Sequence, residues 1–302
     1  MFSTLIIRML GIAGLLCSLS ARAESPAARI VMTWVPPYAI DKCRTRLQVD
    51  MDGVGPKDAL THLALQFWVP TRAGGLEKSS HYGEISDAAI IQFRDWAHQN
   101  HIRLMLCVYN NLGAWDWSLA RAGFAEHPAE FAQALVAEME RLELDGIDID
   151  LEGDGSAGLE ASKDAYTAFI GELSARVHAL HKQVTVDSFA YKWGAPNQGW
   201  WAGLFPLVDG LNSMGYERIG AHAADWRSYA AQKAAAGENA AKLLIGVSGA
   251  KPDWLGSTTA EHLDWVVQDG TVGVTIWDAR FSAPYWQTAE AWRKLEQLRR
   301  GP

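Results

Sequence analysis

The stretch of this chain with the densest chemistry is Asp145-Gly146-Ile147-Asp148-Ile149-Asp150-Leu151-Glu152. Successive side chains of an extended strand point to opposite faces, so Asp148, Asp150 and Glu152 share one face and Ile147, Ile149 and Leu151 the other. A column of carboxylates is unfavourable unless a proton is shared, because neighbouring acids raise at least one pKa of the group. An acid that keeps its proton near neutrality is what a reaction needs to protonate a leaving oxygen. Glu152, at the end of the column, is best placed to deliver that proton. Asp150, one step below it, raises its pKa by repulsion, and Asp148 can share a proton with Asp150. A solvated edge strand or a calcium site would also use acids, but neither needs the buried face that three alternating aliphatics demand.

The elements around this strand repeat. Short β-rich runs occur at Arg29–Val35, Thr61–Phe67, Ile102–Val108, Asp145–Leu151, Gln183–Phe189, Val208–Met214, Lys242–Val247 and Val272–Trp277. Helical patterns separate them, among them Ser86–Asn100, Ala129–Glu143, Ser162–His181 and Ala221–Ala236. Such alternation predicts parallel strands with crossover helices, and eight units predict an α/β fold, a single (β/α)₈ barrel. In that fold functional side chains stand at the C-terminal strand ends, where Glu152 closes the fourth run. The segment from Ser248 to Thr271 holds one helix, about Thr259–Gln268, which leaves no space for a large insertion before the last strand.

The acid stretch resembles the DGxDxDxE signature of glycoside hydrolase family 18, the chitinases and endo-β-N-acetylglucosaminidases, and matches it at Asp145, Gly146, Asp148, Asp150 and Glu152. Two further runs echo the family in the expected order. Met214-Gly-Tyr216-Glu217 resembles its MxYD element with Glu for Asp, and Gly273-Val-Thr-Ile-Trp277 resembles the strand that carries its floor tryptophan. The resemblance implies a TIM barrel that hydrolyses β-N-acetylglucosaminide linkages in chitin oligosaccharides, N-glycan cores or peptidoglycan, with retention. It implies that Glu152 is the general acid and that the substrate's own 2-acetamido oxygen is the nucleophile, an exception to the two-carboxylate rule. Asp150 would then stabilise the acetamido nitrogen, with Asp148 behind it, and Tyr216 would hold the acetamido oxygen. Trp277, Tyr109 and Trp34 are the expected substrate-binding residues, together with Glu217, which reads equally well as a sugar-hydroxyl ligand or as the partner of a nearby cation such as Arg218. The chain departs from many chitinases after the third strand, where Cys107-Val-Tyr109-Asn110-Asn111 replaces a serine and paired glycines, and the short link before the eighth strand predicts a shallower cleft.

Fourteen tryptophans are many for 302 residues, and indoles stack on the C–H faces of sugars. Those at strand ends, Trp34, Trp68, Trp115, Trp117, Trp193 and Trp277, are candidates for sugar contact, although for Trp115 and Trp117 a core role reads almost as well. Trp96, Trp265 and Trp292 fall in helical patterns and read as packing residues. Trp200 and Trp201 fit either role.

Residues 1–23 carry a basic start, an apolar run from Met9 to Leu19 and Ala21-Arg22-Ala23, the plan of a secretory signal peptide cleaved before Glu24. The apolar run is too short for a permanent span, and Leu16-Cys17 is a poor lipoprotein site, so a soluble exported catalytic unit over residues 24–302 is expected, with no stable membrane anchor. Cleavage leaves 25 Lys and Arg against 35 Asp and Glu, a net charge of −10. That surface argues against nucleic acid or anionic lipid as partners and leaves an N-acetylglucosamine-containing glycan as the expected one. Cys43 and Cys107 can pair or stay as buried thiols. No HExxH, GxGxxG, P-loop or GxSxG pattern is present, so no metal or cofactor is expected. A chitinase-like lectin without turnover is the alternative, disfavoured by the presence of Glu152; an exported inhibitor or adhesion scaffold is a more distant one.

Overall fold

The structure is a computed structural model that describes residues 29–152, 161–188, 199–214, 226–250, 253–254 and 257–301. Eight strands pair in parallel and in chain order: β1 (Val31–Val35), β2 (His62–Pro70), β3 (Arg103–Tyr109), β4 (Gly146–Asp150), β5 (Gln183–Ser188), β6 (Gly210–Ser213), β7 (Leu243–Ser248) and β8 (Gly273–Trp277). β1 pairs with both β2 and β8, which closes the sheet into a single (β/α)₈ barrel and removes its edges. The strands fall within two or three residues of the sequence expectation.

Residues that alternate along each strand serve two separate cores. The outward set, including Leu104, Leu106, Ile147, Ile149, Val184 and Val186, packs under the helices. Helix Pro128–Arg141 meets it with Phe131, Ala132, Leu135 and Met139, the spacing of one helical face. Helix Asp87–Gln99 begins where Ser86 accepts a hydrogen bond from Ala89 N at 3.2 Å. The inward apolar set is small: Met32, Trp34, Ala64, Met105 and Cys107, with Trp277 partly buried against it. Thr33, Gln66, Thr185, Asn212 and Thr275 make much of the described interior polar, and there the acids lie.

Gly146 is required by packing. A Cβ there would overlap the Gln183 carbonyl oxygen and the Met105 side chain on the neighbouring strands. Asp145, the first acid of the stretch, stands at the opposite end of the strand from Glu152. Its Oδ2 accepts from Leu104 N at 2.9 Å and lies 2.7 Å from His98 Nε2, so it ties strand to helix at the barrel floor. Asp209 repeats the device before β6, with Val184 N at 2.8 Å and His178 Nε2 at 2.9 Å.

Among the described residues between β7 and β8 lie a two-stranded hairpin, Asp253–Trp254 with Ser257–Thr258, and helix Thr259–Asp269. No large insertion is present. The hairpin was not expected, and neither was a short strand, Leu76–Lys78, that folds back antiparallel on the end of β2.

The last helix, Ala289–Arg300, closes the barrel wall with Trp292, which is 1 % exposed. Its ring lies 4.9 Å from Phe281 and 5.5 Å from Trp286, and its Nε1 donates to the Trp286 carbonyl at 3.1 Å. Trp292→Ala is therefore expected to destabilise the fold by about 3–5 kcal/mol. Urea unfolding measures this, and a loss below about 1 kcal/mol would contradict full burial of the ring.

Candidate active site

Asp148 and Asp150 point into the barrel and are 0 % and 2 % exposed, while Glu152 emerges partly exposed at the C-terminal mouth. Asp148 sits in a dedicated cradle: Trp34 Nε1 donates to Oδ2 at 2.7 Å and Thr185 Oγ1 to Oδ1 at 2.5 Å, with the Cys107 thiol as a further donor. Asp150 Oδ2 accepts from Gln66 Nε2 at 2.6 Å. Its Oδ1 is buried with no donor in hydrogen-bond geometry among the described residues, and the Glu152 carboxyl is close enough to lower its pKa.

The register adds an acid that the column alone does not contain. Ile149 of β4 pairs with Val186 of β5, so the next residues, Asp150 and Asp187, stand side by side on the inner face. Asp187, 5 % exposed, accepts from Asn212 Nδ2 at 2.9 Å, and Asn212 Oδ1 accepts from Thr275 Oγ1 at 2.5 Å. Three buried carboxyls therefore share one corner of the barrel below Glu152.

Burial, with the charge of Asp148 added, raises the Asp150 pKa to about 7 against the hydrogen bond from Gln66 and the nearness of the Glu152 carboxyl. Burial raises Asp148 against its three donors, and raises Asp187 well above the carboxylate range with Asp148 and Asp150 reinforcing the shift. In the unfolded chain Asp150 titrates near 3.9, so between about pH 4 and 7 the folded state binds more protons. The Asp150 contribution to stability is thus complete below about pH 4 and is lost as pH rises through 7. Buried His62, lowered to about 4, acts in the opposite sense over part of that window. Comparison with Asp150→Asn isolates the effect: wild type should lose stability relative to the variant between pH 4.5 and 7.5 in thermal melts. Parallel pH profiles would show that Asp150 titrates normally.

A pocket of about 120 Å³ opens beside the column, with Tyr38, Gln66, Tyr82, Tyr109, Trp115 and Trp277 in its wall. It continues past Tyr38 and Tyr82 into an open groove of about 600 Å³ that runs to Lys42 and Arg44. Trp277 leans over Trp34, with centroids 5.9 Å apart, and Tyr109 Oη donates to Ser79 Oγ at 2.9 Å. Tyr38 is fixed from behind: the Arg280 guanidinium lies 5.3 Å above its ring and is itself paired with buried Asp278 at 2.8 Å. Tyr38, Tyr82 and Trp115, each an exposed large aromatic residue, gather at this mouth. The described residues lining the pocket include no carboxylate.

The structure brings Asp148, Asp150, Glu152, Trp277 and Tyr109 together. Trp34 also joins them, but not as a sugar-facing surface: it is 1 % exposed beneath Trp277 and serves as a donor to Asp148. Trp68 is turned away because the ladder shifts between Gln66 and Trp68, an irregularity that sends Trp68 to the outer core, where its Nε1 donates to Glu138 Oε1 at 3.1 Å. Trp117 is also buried in the outer core, whereas Trp115 is 40 % exposed at the pocket. Trp200 and Trp201 stack on each other at 4.6 Å, and Trp201 is buried. Tyr216, Glu217 and Trp193 lie outside the described residues. Cys43 and Cys107 are free, buried thiols, Cys43 in the outer core and Cys107 in the barrel interior.

Gln66, Asn110, Thr185, Asp187 and Asn212 complete the site without having been expected. For β5 a signal existed: Gln183-Val-Thr185-Val-Asp187 alternates polar and apolar as the acid strand does. For Gln66, Asn110 and Asn212 no comparable pattern marks the residue.

A barrel with buried acids at its C-terminal mouth can be compared with known proteins. The family model described as Glycosyl hydrolases family 18 matches residues 38–297. No curated protein matches in sequence. Among solved structures, a chitinase from Chromobacterium violaceum ATCC 12472 superposes with a TM-score of 0.70 at 17% identity, covering 90% of this chain and 99% of that one. A class V chitinase from Pseudomonas fluorescens Pf-5 gives 0.68 at 16%, with 90% and 99% covered. A spore cortex-lytic enzyme from Bacillus cereus gives 0.65 at 13%, with 91% and 75% covered. At these identities the superpositions speak for the fold, while the match to the family model spans the strands that carry the acid column, the pocket wall and Trp277; the chain belongs to glycosyl hydrolases family 18 and is a glycoside hydrolase.

Proposed function

We propose that this glycosidase cleaves β-N-acetylglucosaminide linkages with retention, using the substrate's acetamido group as nucleophile. The observation that carries the reading is the depth of the acid column. A retaining enzyme with a protein nucleophile needs a second carboxylate about 5–5.5 Å from the acid and within reach of the sugar. Asp150 is 2 % exposed, too deep to attack a ring in the pocket, and the described pocket wall offers no other carboxylate. A buried carboxylate beneath the sugar is instead suited to an acetamido N–H. Its charge stabilises the oxazolinium that forms as the acetamido oxygen closes on the anomeric carbon. Glu152, partly exposed above it, protonates the leaving oxygen and then activates water. Trp277 supplies the apolar floor and Tyr109 and Trp115 the walls of the sugar site.

The substrate class follows from this chemistry: a glycan with N-acetylglucosamine at the bond cleaved, in chitin oligosaccharides, N-glycan cores or peptidoglycan. The names of the structural neighbours, two chitinases and a spore cortex-lytic enzyme, fit that range. On the same reading residues 1–23 direct export and are removed, which N-terminal sequencing of the mature protein at Glu24 would verify.

The test is hydrolysis of chromogenic N-acetylglucosamine oligomers beside matched glucose oligomers, with equilibrium binding measured in parallel. Turnover of the first alone supports the proposal. Equal cleavage of both sinks substrate assistance, and binding without cleavage turns the protein into a lectin.

A further inference from the structure

The ladder between β3 and β4 ends on the rung Tyr109 with Asp150. One residue further, the side chain of Asn110 takes the place of the missing strand. Asn110 is 0 % exposed; its Oδ1 accepts from Glu152 N at 2.8 Å and its Nδ2 donates to Glu152 O at 2.5 Å. Both backbone groups of Glu152 are thus held by one planar amide, and the acid's backbone stays fixed although the sheet has ended.

The same amide reaches a second element. Asn110 Nδ2 also donates to the Asp116 carbonyl at 2.9 Å, and Asp116 N returns a bond to the Asn110 carbonyl at 2.9 Å. Asp116 caps helix Trp117–Arg121 through Leu119 N at 3.0 Å and pairs with Arg72 at 3.1 Å. Between the two anchors the loop is closed by a bridge from Asn111 to Trp115, which presents Trp115 to the pocket. Every hydrogen-bonding group of the Asn110 side chain is therefore committed either to Glu152 or to the loop that carries a pocket wall.

We propose that Asn110 is the positioning residue for Glu152, locking the acid to the wall formed by Trp115 so that proton delivery to the leaving oxygen depends on it. The inference rests on the proposed hydrolase reading, in which Glu152 donates that proton. A group displaced by about 1 Å from its reactive geometry can cost about 10²-fold in rate, and loss of the clamp frees the backbone dihedrals that aim the Glu152 side chain.

The experiment compares two substrates with the same N-acetylglucosamine oligosaccharide glycone. One has a sugar leaving group, which needs a proton; the other has a 4-nitrophenyl leaving group, which departs as a stable phenolate. Asn110→Ala should lower kcat/KM, which reports the step that needs the proton, by about 10²-fold on the first and leave it within about threefold on the second. Asn110→Asp is isosteric and keeps the acceptor for Glu152 N, but sets a carboxylate against two carbonyls; it should show the same split. Equal losses on the two substrates would mean that Asn110 supports the fold and no more, and so would a failure of both variants to fold. Unchanged kcat/KM on both substrates overturns the proposal as well. A wild-type protein inert towards both substrates would overturn the hydrolase reading itself, a result distinct from any of these.

Discussion

Glu152→Gln is expected to lower turnover of an N-acetylglucosamine oligosaccharide by about 10²–10⁴-fold, the usual contribution of a general acid where the leaving group needs its proton. The amide keeps the shape of the side chain and leaves intact the two backbone bonds to Asn110 that fix the position. Folding and sugar affinity should therefore survive, which a thermal melt and equilibrium binding of the same oligosaccharide would verify. The loss in kcat/KM should shrink on a 4-nitrophenyl glycoside, because that leaving group departs without a proton. Near-wild-type turnover of the oligosaccharide by Glu152→Gln would remove the carboxyl from its assigned role.

Asp150→Asn should cost a comparable amount for a different reason. Its carboxylate is predicted to face the acetamido nitrogen as positive charge develops, and one lost transition-state interaction of this type is worth about 2.7–4 kcal/mol, or about 10²–10³-fold in rate. Burial and the neighbouring Asp148 raise the Asp150 pKa to about 7, so the group holds its charge only reluctantly in the free protein. That reluctance makes the charge effective when the oxazolinium forms, because a poorly solvated anion gains most from a nearby cation. The substitution is close to isosteric, and Gln66 can rotate its amide to face the new donor, so the loss should fall on kcat far more than on stability. Steady-state kinetics on the oligosaccharide measure it. A variant within about threefold of wild type would require the acetamido group to be activated elsewhere.

Substrates supply an independent control on both expectations. If a glycoside without the 2-acetamido group were cleaved as fast as one that bears it, Asp150 would have nothing to stabilise, and the buried corner of Asp148, Asp150 and Asp187 would need another explanation.

Much of this protein was legible in one dimension. Alternation of Ile147, Ile149 and Leu151 with Asp148, Asp150 and Glu152 fixes which side of a strand each residue occupies, since the period of two is a property of the backbone itself. The spacing of eight such runs between amphipathic segments determined the barrel and the end of it at which Glu152 stands, because parallel strands need crossover helices that all return the chain to the same edge. What the tertiary structure decided is lateral. The sequence does not contain the register that sets Asp187 beside Asp150, the irregularity that keeps Gln66 inside while sending Trp68 out, or the approach of Trp34 Nε1 to Asp148 across 114 positions. Nor does it show that Asn110 ends a ladder 42 positions before the residue it holds. Facing is local and can be counted along the chain, whereas neighbourhood across strands depends on how the closed sheet staggers, and that stagger is settled only when every strand has found both of its partners.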